Sequence, residues 1–387
     1  MLPLLLALLL CPQEPVHLIL ETPDGSVTTH DLTIPLASPL PEEVAFLRYS
    51  GGTARGVQSS GWASVELLDG GRVVADILGG EGDFLDLAIV GDVRLRVSVD
   101  ELASVVIRDR IPEGWGRRLE AGEEGDRVYR VASRGLERLE GTLEEFTETG
   151  VVFLTSLGRK ELAWSDVCAL FVESLGEEQF APLSGTHVVV DLVDGGRIHG
   201  GLLEVRAGEM DLVTRAGRGL RLPRSSVAEV FVPGAGAVFL SELEPLVVGV
   251  AGSPFGDGFG MVWPHRVDRS VTGGLLRSGG ELFTRGLGVH APSRLEWDLD
   301  GSWSSLRLAV AVDDEVLELP LHGSVVVRVI ADGETRFESG ILGAGGGPQV
   351  VPGISLEGVR KLVLEVDMAG NLHVADRADW LRPLLVR

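Results

Sequence analysis

The stretch "GLGVHAPSRLEWDLDG" at residues 286–301 decides the fold. Gly286, Gly288 and Ala291 spell G-x-G-x-x-A, the spacing of a dinucleotide-binding turn. That turn works only between a strand and a helix, because the helix N-terminus holds the pyrophosphate. Here Pro292 follows at once, and Arg294, Glu296, Asp298 and Asp300 then alternate with Leu295, Trp297 and Leu299. Alternation with period two marks a half-buried strand, so the nucleotide reading is set aside. The stretch predicts a turn into a strand, with Trp297 on the core side.

The pattern recurs in "SLRLAVAV" (305–312), "SVVVRVIADGE" (324–334) and "KLVLEVD" (361–367). Many alternating strands joined by turns, with almost no helical periodicity, predict an antiparallel β-sandwich over residues 239–387. "VPGAGAVFLSELEP" (232–245) reads as a linker into it.

Upstream lies a weak repeat. "VELLDGGRVVADIL" (65–78) parallels "VVDLVDGGRIHGGLL" (189–203), each placing Asp-Gly-Gly-Arg between β-type runs. Asp-Gly between alternating apolar residues is a hairpin signal. The units later close on "SVDELASVVI" (98–107) and "LPRSSVAEVFV" (222–232), and residues 138–172 repeat the order with a degraded first turn. A period of about 60 residues predicts an array of small, bent β-barrels, weakly similar to Sm-like or SH3-like barrels. The expected units are 14–112 with an added N-terminal hairpin, 113–178 and 179–236.

The 387 residues carry a net charge of −23, which argues against a nucleic-acid partner and an anionic membrane surface. "LPLLLALLL" (2–10) is too short to span a bilayer and predicts a signal peptide over residues 1–13 of a secreted, periplasmic or cell-envelope protein. Of the two cysteines, Cys11 falls in that leader and Cys168 in the apolar run "VCALFV", so no disulfide or metal-spaced Cys/His set is expected.

The C-terminal residues carry a resemblance. "FTRGLGVHAPSRLEWDLDGSWSSLRLAVAVDDEV" (283–316), "GSVVVRVIADGETRFESGIL" (323–342) and "LVLEVDMAGNLHVADRADW" (362–380) together resemble the NPCBM family of carbohydrate-binding modules. The resemblance implies a galactose-binding-like jelly roll that binds galactose-type sugars, in some members with a structural calcium ion. Two positions depart from the family pattern. Arg377 stands where relatives often carry His, and Ala311 where Gly is usual. Arg377 donates hydrogen bonds but neither accepts one nor ligates a metal.

A pyranose offers an apolar face to an aromatic ring and fixed hydroxyls to polar groups. Candidate sugar-binding residues are therefore Trp263, His290, Asn371, His373, Asp376, Arg377, Asp379 and Trp380. Asp313, Asp314 and Glu315 are candidate calcium ligands, since calcium takes six to eight oxygens. Alternatives stand beside these. His290 is equally a core histidine, Trp380 a core plug, and the acidic triplet a loop capped by backbone amides. At the level of function, a non-catalytic glycan-binding protein is expected. The rivals are a structural or interaction protein, with a protein partner on the N-terminal units, and a hydrolytic or hydrolase-associated protein.

Overall fold

A computed structural model describes residues 16–50, 62–112, 119, 121–122, 124–132, 135–173, 183–249, 263–370 and 374–387. The expected leader lies outside the described residues. The protein is all-β, its strands interrupted only by short 3₁₀ turns among the described residues.

Three five-stranded units occupy residues 63–106, 126–171 and 186–231. In the first, Ala63–Leu67, Arg72–Glu81, Phe84–Ile89 and Val93–Ser98 form a meander, a 3₁₀ turn follows, and Leu102–Val106 returns to pair with Ala63–Leu67. The other two repeat this order, down to a bulge between their second and third strands (Ile77/Gly79, Leu143/Glu145, Leu202/Glu204). A bulge bends a strand and strengthens its twist, and the bent units pack their apolar residues into one continuous cluster. The fourth and fifth strands are joined by the turn without pairing, so these are bent open sheets rather than the closed barrels expected from the sequence. The first two units associate edge to edge, Ala169–Phe171 pairing with Ser104–Val106, and the third pairs through Val230–Phe231 with the N-terminal strand Phe46–Tyr49.

The C-terminal region is a β-sandwich. One sheet runs Arg266–Val267, Gly286–His290, Arg377–Val386, Ser305–Val312, Gln349–Ser355, with Ala237–Phe239 also paired to Arg377–Val386. The other runs Val247–Gly249, Ser293–Asp298, Lys361–Met368, Ser324–Ala331, Glu334–Glu338. Alternate residues fill the space between them: Leu306, Leu308, Val310 and Val312 face Leu295, Trp297, Val325, Val327, Val329, Leu362, Leu364 and Val366. Each fully buried aliphatic side chain is worth about 1.5–3 kcal/mol against exposure, so this interior dominates the stability of the sandwich. Trp297 is core, as its alternation predicts, and its indole N–H donates to the Leu243 carbonyl at 3.0 Å.

The glycines of the opening stretch are explained by crowding. A Cβ on Gly286 would lie 2.5 Å from the Trp380 carbonyl oxygen, and one on Gly288 2.3 Å from that of Arg269. Neighbouring backbone crosses both positions, and no helix follows them.

The segment 232–245 is packed, contrary to the linker reading. Ala237, Phe239 and Leu240 are buried, and Phe239 lies edge-on to Phe231 (5.1 Å) and Phe46 (6.0 Å) of the N-terminal region. Phe46, Val189 and Phe231 share one apolar cluster with Phe239, Leu384 and Val386. Glycine and proline content suggested a linker, but the apolar residues between them pair with the last strand.

Candidate functional site

The paired strands Gly286–His290 and Arg377–Val386 place His290 directly opposite Arg377. Trp263 lies against both. Its ring stacks on His290 at 5.4 Å between centroids and 9° between planes, and the Arg377 guanidinium sits 5.9 Å from its centroid. All three side chains are half-buried. The His290 Nδ1 lies 2.7 Å from the Ala291 carbonyl oxygen. A carbonyl only accepts, so Nδ1 is the donor in this contact.

Glu315 braces this cluster. One carboxylate oxygen accepts from Arg377 Nη1 at 3.2 Å; the other accepts from the hydroxyls of Ser270 (2.8 Å) and Thr272. The guanidinium is thereby fixed beside the indole, its remaining donors oriented by a charged partner. Ser270 and Thr272 were missed from the sequence, because "SVTGG" reads as an ordinary turn.

The other sequence candidates divide. Trp380 is 1% exposed, inside the sandwich, so it holds the core position of its two readings. Asp376 is buried, its Oδ1 accepting from the Ser324 amide at 2.8 Å and its backbone carbonyl from the Ala291 amide. Asp379 is 2% exposed and faces Asp313. The strand Arg377–Val386 is covered on both sides, by the sandwich core and by Leu276 and Phe283, which is why its alternate residues turn inward rather than to a ligand. Asn371 and His373 lie outside the described residues.

The acidic triplet is engaged with protein donors. Asp313 accepts from the amides of Glu315 (2.7 Å) and Arg277 (3.2 Å), and Asp314 from those of Gly279 (3.1 Å) and Gly280 (2.8 Å). With Glu315 turned to Arg377, Ser270 and Thr272, the three carboxylates do not converge, and among the described residues no group of three or more His, Cys, Asp or Glu is placed to hold a metal ion. The residues present do not fit the calcium site that the resemblance suggested. Their oxygens are capping loops.

Burial, then the negative charge of Asp313, holds the Asp379 carboxyl well above the usual 3.8. Burial also raises Asp313, against the opposing hydrogen bonds from Asp379 and from the Glu315 and Arg277 amides. Burial and the neighbouring carboxylate together disfavour ionising Asp379 beside Asp313. Both groups are buried, unlike two carboxylates facing each other across an open cleft.

An all-β chain ending in a sandwich, with an aromatic–cationic cluster at one sheet edge, defines the class. Residues 237–386 match the family model described as "NPCBM/NEW2 domain", the family that the sequence resembles. An alpha-1,3-galactosidase B of Akkermansia muciniphila is 32% identical over 120 residues, covering 30% of this chain and 14% of that protein. The chain spans 7% and 14% of the length of the curated relatives it matches. Among solved structures, a CBM51 from Clostridium perfringens GH95 in complex with methyl-galactose is 24% identical, covering 39% of this chain and 99% of that one, with a TM-score of 0.34. The CBM51-2 and INT domains of Clostridium perfringens ZmpB are 22% identical, covering 39% and 31%, with a TM-score of 0.34. No helix among the described residues is long and apolar enough to cross a membrane.

Proposed function

We propose that this chain is a non-catalytic, secreted protein that binds carbohydrate of galactose type through its C-terminal sandwich. The observation that carries the reading is the Trp263–His290–Arg377 cluster braced by Glu315. It combines what a pyranose needs: a ring for its apolar face and charged donors for paired hydroxyls, beside a stacked imidazole. The NPCBM match supports carbohydrate as the ligand class. The galactosidase relative supports the galactose type. The burial of Asp313 and Asp379 against each other supports binding over hydrolysis, because a hydrolytic pair needs room for the sugar between its carboxyl groups.

A second reading has its own observation. Asp376, Asp379 and Trp380, which the sequence offered as ligand contacts, are spent on the interior. A sandwich built that way suits a structural or interaction module of the cell envelope. A glycan array probed with the full chain separates the two. Retention on galactose-terminated glycans, lost in Trp263→Ala, supports the first; no retention across the array, with or without calcium, supports the second.

A further inference from the structure

We propose that the two Asp-Gly-Gly-Arg turns form a clasp that holds the candidate carbohydrate face in place, with Arg72 and Arg197 as its positioning residues. The inference rests on the binding reading for its functional half only.

The two turns are built alike. Asp69 Oδ1 accepts from the Gly71 amide at 2.8 Å, and Asp194 Oδ1 from the Gly196 amide at 2.9 Å. Gly70 and Gly195 take φ of +86° and +84°, which L side chains resist. Each turn ends in an arginine, and the two arginines pair with each other across an antiparallel bridge. Both then reach into the C-terminal region. Arg197 Nη2 and Arg72 Nη2 donate to the same Thr284 carbonyl, at 2.9 and 3.2 Å. Both guanidinium groups also face one oxygen of Asp268, at 2.7 Å from Arg197 and 3.7 Å from Arg72. The residues joining the first two strands of the middle unit, Ala132-Ser133-Arg134-Gly135, lack the motif in sequence.

What the clasp grips is a joint. The other Asp268 oxygen accepts from the Gly286 amide at 2.9 Å, and the Asp268 amide donates to the Gly286 carbonyl at 2.7 Å. Two residues after Asp268 comes Ser270, which braces Glu315; four after Gly286 comes His290, which stacks on Trp263. Asp268 is buried, so losing either arginine leaves its charge less fully compensated, and the cheapest relief is local opening of the two segments that meet there. A shared joint of this kind is a physical route for coupling, and it needs a measurement of coupling.

The test is hydrogen exchange by mass spectrometry on the full chain, comparing wild type with Arg72→Met, Arg72→Lys and Arg197→Lys. Arg72→Met should raise exchange at least ten-fold in 268–272 and 284–290 and leave 324–331 and 361–368 unchanged, with Arg72→Lys restoring part of the protection. Arg197→Lys, which keeps the charge and loses the fork, should open the same segments. Methyl galactoside affinity should fall several-fold in step. Unchanged exchange in the two segments, or a rise spread evenly over the chain, overturns the clasp. Selective opening in a protein that binds no sugar keeps the clasp and removes the carbohydrate reading. Sugar binding with neither exchange nor affinity altered removes the clasp and keeps that reading.

Discussion

The buried Asp313–Asp379 pair gives a pH-dependent prediction. Asp379 is 2% exposed, and among the described residues no donor from another group reaches its oxygens. Burial, then the charges of Asp313, Glu315 and Asp314, raises its carboxyl well above 3.8. In the unfolded chain it ionises near the ordinary value, so above that value the folded state binds the extra proton. A raised folded value contributes stability that is complete below 3.8 and is lost as pH rises through the folded value. One such carboxyl changes stability by at most about 1.4 kcal/mol per pH unit. Asp379→Asn is nearly the same shape, keeps an N–H for Asp313 and does not titrate. It should remove this slope and be at least as stable as wild type at pH 8. Asp379→Ala leaves Asp313 without that donor and should cost about 1–3 kcal/mol at low pH, the gap to wild type narrowing as pH rises. Urea unfolding from pH 5 to pH 8 measures both. A wild-type minus Asn difference that stays flat across this range, or Asn and Ala variants that are equally damaged, refutes a raised Asp379 carboxyl.

Other substitutions test the packing and the site. Phe239→Ala empties a position between Phe46, Phe231 and the Arg285 guanidinium, which lies 4.8 Å from its ring; a loss of about 3–5 kcal/mol is expected in urea unfolding, against a small change if 232–245 were a loose linker. Glu315→Gln keeps the Ser270 and Thr272 contacts and removes the charge facing Arg377; the pair is partly exposed, so stability should change by less than about 1 kcal/mol while sugar affinity falls several-fold in calorimetry. Gly288→Ala should detach 266–270 from the strand it crosses, read as a loss of sugar binding together with lost exchange protection in that segment. A chelator should move the melting temperature by less than about 1 °C, because a ligand stabilises only a state that binds it, and Asp313, Asp314 and Glu315 already accept from protein donors.

The strands were legible because period-two alternation reports burial directly. Leu306 to Val312 and Leu362 to Val366 occupy the faces their spacing assigns. The repeats were legible through turn chemistry, since Asp-Gly-Gly works only where positive φ is needed, as Gly70 and Gly195 show. The partners of those turns were not legible. Nothing local to Arg72 or Arg197 points to Asp268, far along the chain and buried against them. The same limit governed the site. His290 and Arg377 are brought together by strand register and Trp263 by a return of the chain, whereas the polar run Asp376–Trp380 looked like a ligand loop. In a strand covered on both faces, polar residues are drawn inward, and alternation no longer separates ligand from core.

Carbohydrate binding at the Trp263 face is tested most directly by titration calorimetry of methyl galactoside into the full chain and its Trp263→Ala variant, after both are shown to melt alike. The expected dissociation constant is roughly 0.1–1 mM, about 4–5.5 kcal/mol, since a single sugar on a half-open face makes few contacts. Loss of the indole should weaken it about ten-fold, or about 1.4 kcal/mol. Binding by neither protein across a panel of galactosides, or equal binding by both, contradicts the assignment of this face as the carbohydrate site.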